Sequence, residues 1–160
     1  MNKERSYDSG WQLTALVSLR MLIGWHFLYE GLVKVINPDW SSLGFLTDSQ
    51  WIFSGLFNAM AASPGVLAVV DFLNVWGLIL IGLGLILGVF TRVAAIGGMV
   101  LMAFYYLSHP PFPGLTYVLP EEGSYLIVNK NLVELFALWV LYKLPTGRII
   151  GIDRILFGKQ

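Results

Sequence analysis

Four ionisable side chains, Arg20, His26, Glu30 and Lys34, interrupt an otherwise apolar stretch at residues 13–34, LTALVSLRMLIGWHFLYEGLVK. His26 and Glu30 are spaced i,i+4, as are Glu30 and Lys34, so on a helix each pair meets one turn apart. An imidazole beside a carboxylate can relay protons near neutral pH. Further polar groups follow inside apolar sequence: Asp71 and Asn74, then His109, then Lys130, Asn131 and Glu134. Their chemistry sorts them. His26, Glu30, Asp71 and Glu134 are candidates for catalytic proton transfer. Arg20, Lys34, Asn74, His109, Lys130 and Asn131 are candidates for holding a substrate, with the cations suited to a small anion. Two histidines so far apart make a poor ligand set for metal or haem, and no metal is expected.

The element that carries the first four groups reads as a membrane-spanning helix from about Trp11 to Ile36. At about 100° per residue, Arg20, Lys34, Glu30 and His26 fall within about a third of the circumference. One face is ionic, and the rest suits lipid or packing. A charge at mid-span costs about 2.5–3.5 kcal/mol on insertion scales, so these groups need partners or a purpose. Two readings stay open. Either the charges form an internal network that only orients the helices, or they build a substrate or proton site.

The 160 residues fit one domain, and an apolar fraction of 56% against 12% charged is far from soluble averages. Net charge is zero and no basic patch is present, so nucleic acid is not an expected partner. Cysteine is absent, which removes thiol catalysis and Cys-ligated clusters from this chain. Any redox work must therefore pass through a bound cofactor, a quinone or a partner subunit. The charged N-terminus MNKERSYDSG precedes a segment too long for a signal-peptide core, so it predicts an uncleaved first span.

Spans are expected at about 11–36, 66–90, 93–108 and 126–144, giving an all-α polytopic four-helix bundle within residues 1–160. Pro38 closes the first span. A short interfacial or re-entrant helix is expected at Ser49–Ala62, and a C-terminal amphipathic helix in RIIGIDRILFGK. Gly77, Gly84 and Gly88 gather on one face of the second span, where another helix could approach closely. A polar loop with Glu121 and Glu122 precedes the fourth span. The aromatic residues, Trp25, Trp40, Trp76 and Tyr105 among them, are assigned to the membrane belt and to packing.

Lys3, Arg5, Arg92, Lys143, Arg148, Arg154 and Lys159 fall on the side of the termini, against Lys34 and Lys130 on the other. That bias predicts a multi-pass protein of the inner (cytoplasmic) membrane with both termini cytoplasmic. The polar groups of all four spans then lie in the outer half, with Arg20 alone deeper toward mid-membrane.

The run from Arg20 through Gly24, Phe27 and Gly31 to Lys34 resembles the opening helix of the DoxX-like membrane proteins. Gly82-Leu-Gly84-Leu-Ile-Leu-Gly88-Val-Phe-Thr91-Arg92 is similar to that family's second-span ending and turn. Asn129-Lys-Asn-Leu-Val133 and Gly151-Ile-Asp-Arg-Ile155 resemble its fourth-span opening and C-terminal signature. One position departs: where the family often carries Glu one turn before a glycine in span two, this chain has Asn74, with Asp71 nearby. The resemblance implies a four-helix membrane bundle and a relation to DoxD, the membrane subunit of thiosulfate:quinone oxidoreductase. With the cation cluster, it leads to the expectation of a quinone-linked oxidoreductase subunit. A sulfur oxyanion such as thiosulfate would be held by Arg20, Lys34 and Lys130, and Glu30 and His26 would handle protons. Quinone is the cofactor so implied; the partners are the lipid bilayer, quinone, a small anion and a partner subunit or second copy. Two rivals stand beside it: a proton-coupled small-solute transporter, and a non-catalytic anchor that binds a partner through its glycine face.

Overall fold

A computed structural model describes residues 10–118 and 126–158. The expected features at Lys3 and Arg5, the Glu121-Glu122 loop and Lys159 lie outside those residues. The first apolar stretch forms α1 (Gly10–Ile36), which stops before Pro38, where the ring blocks another turn. The expected Ser49–Ala62 helix is instead a pair, α2 (Leu43–Thr47) and α3 (Ser54–Ala62). Trp51 between them adopts φ 78°, a left-handed conformation no helix can continue through. Just before that break, the Asp48 carboxylate accepts from Val118 N and the Gln50 amide donates to Thr116 O. Phe57 and Ala61 of α3 join Leu46 of α2 in a small core that also holds Leu67, Val70 and Leu107.

Pro64 occupies the first turn of α4 (Pro64–Leu87), where its missing N–H is no loss. Gly88 at φ 66° ends that helix, and α5 (Thr91–Ser108) starts three residues later. Asn129 caps α6 (Lys130–Lys143), its side chain accepting from Leu132 N at 3.1 Å. A 3₁₀ turn (Thr146–Arg148) and the short α7 (Asp153–Phe157) complete the chain.

α1 lies along α4, α5 along α6, and α4 joins the two pairs. Phe27, Leu78, Leu85, Ala95 and Leu138 are fully or nearly fully buried in the core they share. The tightest seam is α1 on α4. A methyl group on Gly82 would fall 2.5 Å from Leu28 N, and one on Gly24 would fall 3.1 Å from Gly82 O. That seam runs through Gly24, Gly31 and Gly82. On the expected glycine face, Gly77 and Gly84 let α5 approach α4, at Leu101 and Ala94, and Gly88 is a turn residue. The chain meets where both helices present glycine at matching heights, so backbone touches backbone.

The outer surface is apolar. Leu22 and Leu80, midway along α1 and α4, are 69% and 65% exposed, which suits contact with lipid and not with water. α1, α4 and α5 are each long and apolar enough to cross a membrane. α6 is shorter than the expected 126–144, its 14 residues rising about 21 Å. Its N-terminus is delayed because Leu126 takes φ 67° and Asn129 supplies the cap.

The seam makes a direct prediction. Gly82→Val should destabilise the detergent-solubilised protein by about 1–3 kcal/mol or more, read as a lowered midpoint in thermal unfolding. Gly55→Ala, on α3 with open space around it, should leave the midpoint unchanged or slightly raised. Equal midpoints for Gly82→Val and wild type would refute the seam.

Candidate functional site: a polar chamber and a separate polar latch

At the end of the helices where α1 finishes and α4 begins lies a cavity of about 540 Å³. Phe27, Leu78 and Met102 form its apolar floor and continue into the core. Helix α1 places His26, Glu30 and Lys34 on one wall, one turn apart. Asn74 from α4 and Tyr105 from α5 face them, and Asn129, Lys130, Asn131 and Glu134 enter from the start of α6. Trp40, Phe45 and His109 belong to the segments that cover it.

Two strings of contacts run through these walls. Lys34 Nζ donates to Asn74 Oδ1 at 3.0 Å, and Asn74 Nδ2 donates to the Tyr105 hydroxyl at 2.6 Å. The same ammonium sits 5.0 Å from the Trp40 ring centre and 5.7 Å from that of Tyr105, within cation–π range. In the second string His26 stands between two carboxylates. Its Nδ1 is 2.5 Å from Glu134 Oε1, a close contact and not a well-aligned hydrogen bond, and its Nε2 is 4.0 Å from Glu30 Oε1. Glu30 Oε2 is also 4.0 Å from Lys34 Nζ. The second oxygen of Glu134 is buried with no hydrogen-bond partner among the described residues. An imidazole with one nitrogen toward each carboxylate can take a proton from one side and release it to the other.

Asp71 stands apart from this proton chemistry. Its carboxylate accepts from Ser41 Oγ at 2.8 Å and from both the backbone N and the Oγ of Ser42, at 2.8 and 2.5 Å. It pins the segment before α2 to α4 and so shapes the chamber wall without facing the cavity. His109 is part of the cover. It stacks on Phe45 at 4.0 Å, lies 4.5 Å from the Tyr117 ring, and holds Nε2 3.7 Å from Asp48 Oδ2. Ser49 Oγ donates to Ser108 O at 2.9 Å and closes the same joint. Burial holds His109 below its usual pKa, with the nearby Asp48 opposing that shift in part.

Arg20 corrects the expectation that it shares the chamber. Its guanidinium points to the opposite end of the molecule, where Nη1 donates to Thr146 Oγ1 at 3.1 Å and Nη2 to Ile150 O at 2.8 Å. There the chain after α6 folds back onto the α4–α5 turn. Asp153 is buried and accepts from Phe90 N at 2.6 Å, Thr91 N at 3.0 Å and Thr91 Oγ1 at 2.6 Å. Its own backbone N donates to Gly88 O at 2.8 Å. Phe90 adopts φ 48°, and the Asp153 contact holds this left-handed residue in place. The expected C-terminal helix is helical over Asp153–Phe157 alone; buried Asp153 latches it to the α4–α5 turn, while Ile155, Leu156 and Phe157 stay exposed on the surface. Buried Arg and Asp need every available partner, and a folded-back tail supplies them where lipid cannot.

Of the ten residues singled out, the structure brings His26, Glu30, Lys34, Asn74, His109, Lys130, Asn131 and Glu134 to one cavity. Asp71 supports its wall, and Arg20 lies elsewhere. Sequence reasoning left Tyr105 and Trp40 in the aromatic belt. A signal for Tyr105 existed: it precedes His109 by four residues, one helical turn. For Trp40 there was none, because its position depends on how the segment after Pro38 folds back.

The sequence profile of the DoxX family matches residues 15–110, more than half of the chain. The chain belongs to the DoxX family. It is a multi-pass membrane protein, in keeping with its apolar surface and its long helices. The matched region contains most of α1 and all of α2 to α5, and hence Arg20, Lys34, Asn74, Tyr105 and the α4–α5 turn. No curated protein and no solved structure matches the chain.

Two outcomes are expected here. Because burial lowers the folded-state pKa of His109, the folded chain binds this proton less readily than the unfolded one. Its contribution to stability is thus present above the ordinary value of 6.5 and is lost as pH falls below it. The thermal midpoint should drop between pH 7.5 and 5.5, and His109→Phe, which keeps a ring against Phe45, should reduce that drop; an unchanged pH slope would count against the assignment. At the other end, Asp153→Ala should destabilise by about 1–3 kcal/mol or more, since it leaves the Phe90 and Thr91 donors unmatched. Protease sensitivity appearing first after Leu144 would report the released tail.

Proposed function

We propose that the chain is the membrane subunit of a quinone-linked oxidoreductase whose chamber opens to the outer face of the cytoplasmic membrane. In this reading α1, α4, α5 and α6 all cross, with exposed Leu126, Ile127 and Val128 extending the apolar length of the fourth. Arg92, Lys143, Arg148 and Arg154 cluster near the latch, which supports placing that end and both termini in the cytoplasm. One observation carries the proposal: Glu30, His26 and Glu134 line the same cavity as the Lys34–Asn74–Tyr105 string.

These residues fit a quinone head group. Lys34 and Tyr105 offer donors to its carbonyl oxygens, Trp40 and Tyr105 offer ring faces, and the apolar outer surface suits an isoprenoid tail. When bound, a quinone supplies two-electron chemistry coupled to two protons. The protein's part is to hold and move those protons: His26 Nδ1 faces Glu134, and Nε2 faces Glu30. A small sulfur oxyanion such as thiosulfate is the electron donor favoured by the family likeness. With Arg20 committed to the latch, Lys34 and Lys130 are the cations left in the chamber to hold it. A partner subunit or a second copy completes the electron path, since the chain has no cysteine of its own.

The floor of Phe27, Leu78 and Met102 continues into a packed core, which favours a binding chamber over a through-path for solutes. Likewise the buried position of Gly84 and the turn at Gly88 argue against a docking face built on those glycines. The experiment is reduction of decylubiquinone by thiosulfate, followed by absorbance, with the full chain in nanodiscs. Activity should fall by about 100-fold in His26→Gln and in Glu134→Gln. Wild type that neither reduces nor binds the quinone with any sulfur donor would overturn the proposal. Solute uptake into proteoliposomes that is lost in Glu30→Gln would replace it with transport.

A further inference from the structure

The hydrogen bonds around Asn74 have a direction, and that direction identifies where a ligand attaches. An ammonium group can only donate, so the amide atom facing Lys34 Nζ at 3.0 Å must be the carbonyl oxygen. The assignment of the Asn74 amide is thereby settled by chemistry, and its NH₂ must face Tyr105, 2.6 Å away. The Tyr105 oxygen accepts that bond. Its own O–H has no acceptor among the described residues, because Asn74 is its one hydrogen-bond partner there. Tyr105 lines the cavity, so this proton has the chamber to point into.

Lys34 is similarly underused. Of its three N–H groups one goes to Asn74, while the Glu30 carboxylate stands at 4.0 Å, beyond hydrogen-bond distance. The Asn74 amide is thus a rigid spacer with a donor at each end, both bordering the cavity. The charge on Lys34 polarises the amide, the amide polarises the hydroxyl, and each donor in the string is strengthened by the one before. Aromatic contacts fix the arrangement: the Tyr105 ring packs edge-on to Phe45 at 5.6 Å, and Trp40 lies across the ammonium.

We infer that Tyr105 and Lys34 form a two-donor subsite, set by Asn74, for an acceptor oxygen of the chamber's ligand, either a ring carbonyl or an oxyanion oxygen. The inference rests on the chamber being a ligand site as proposed above and adds which residues hold the ligand and through which of its atoms. Tyr105 is then a binding donor, and Asn74 is a positioning residue that acts through it.

Isothermal titration of the full chain in nanodiscs with decylubiquinone, and separately with thiosulfate, tests this and tells the two oxygen sources apart. Tyr105→Phe keeps the ring contacts with Phe45 and Lys34 and removes only the hydroxyl. It should weaken the probe that binds by about tenfold. Infrared difference spectra give a second readout that packing alone would not move. The carbonyl stretch of bound quinone, or the S–O stretch of bound thiosulfate, should be displaced in wild type and return toward its free position in Tyr105→Phe. Tyr106→Phe is the control, since that hydroxyl donates to Ile127 O outside the chamber, and binding should be unchanged. Equal affinity and an unmoved band in Tyr105→Phe would overturn this inference and leave the chamber reading standing. Wild type that binds neither probe would overturn both.

Discussion

An ionised side chain among apolar helices must find a partner inside the protein, and this constraint organises the molecule. Hydrocarbon offers no hydrogen bonds, so each charge on α1 turns inward and each partner must be carried to it by another element. Arg20 is met by the folded-back tail, Lys34 by Asn74, and His26 by Glu134. The helices are held in register by these meetings as well as by the core between them. Buried ionic contacts of this kind specify which element sits where more than they add net stability.

The two polar groupings do different work because their satisfaction differs. In the latch Asp153 accepts three bonds, and Arg20 reaches a hydroxyl and a carbonyl. The Arg20 Nε is left without a partner among the described residues, but the large cavity does not reach it. In the chamber both contacts of Glu30 are 4.0 Å long, one oxygen of Glu134 is unmatched, and the cavity has room for a ligand. Between them the α1–α4 seam, with backbone on backbone at Gly24 and Gly82, gives a stiff support. A chamber carried on such a seam keeps its donors in place, and its cover is held by Phe45 on His109 and by Asp48.

Much of the fold was legible from apolar runs and their punctuation. Pro38, Pro64 and Gly88 mark helix boundaries to within a few residues, because ring closure and left-handed backbone act locally. The segment from residue 39 to 64 was less legible. A left-handed Trp51 has no local cause; it answers to Asp48 and Gln50 bonding to a segment more than sixty residues later. The α1–α4 glycine seam was not legible for a related reason. Gly77 and Gly84 meet a neighbouring helix, α5, as their shared face suggests, but which glycines meet α1 depends on how the helices cross.

The sequence by itself determined that α1 has one ionic face and that its charges must turn inward, because helical periodicity and the cost of charge in lipid are both local rules. It could not determine which charges share a site. A helical wheel collapses the axis, and the 14 steps from Arg20 to Lys34 span about 21 Å of it. Only the tertiary structure decided that Arg20 is met by the tail while Lys34 looks into the chamber. The partners that divide them, Thr146, Ile150 and Asn74, lie far along the chain and are brought in by packing.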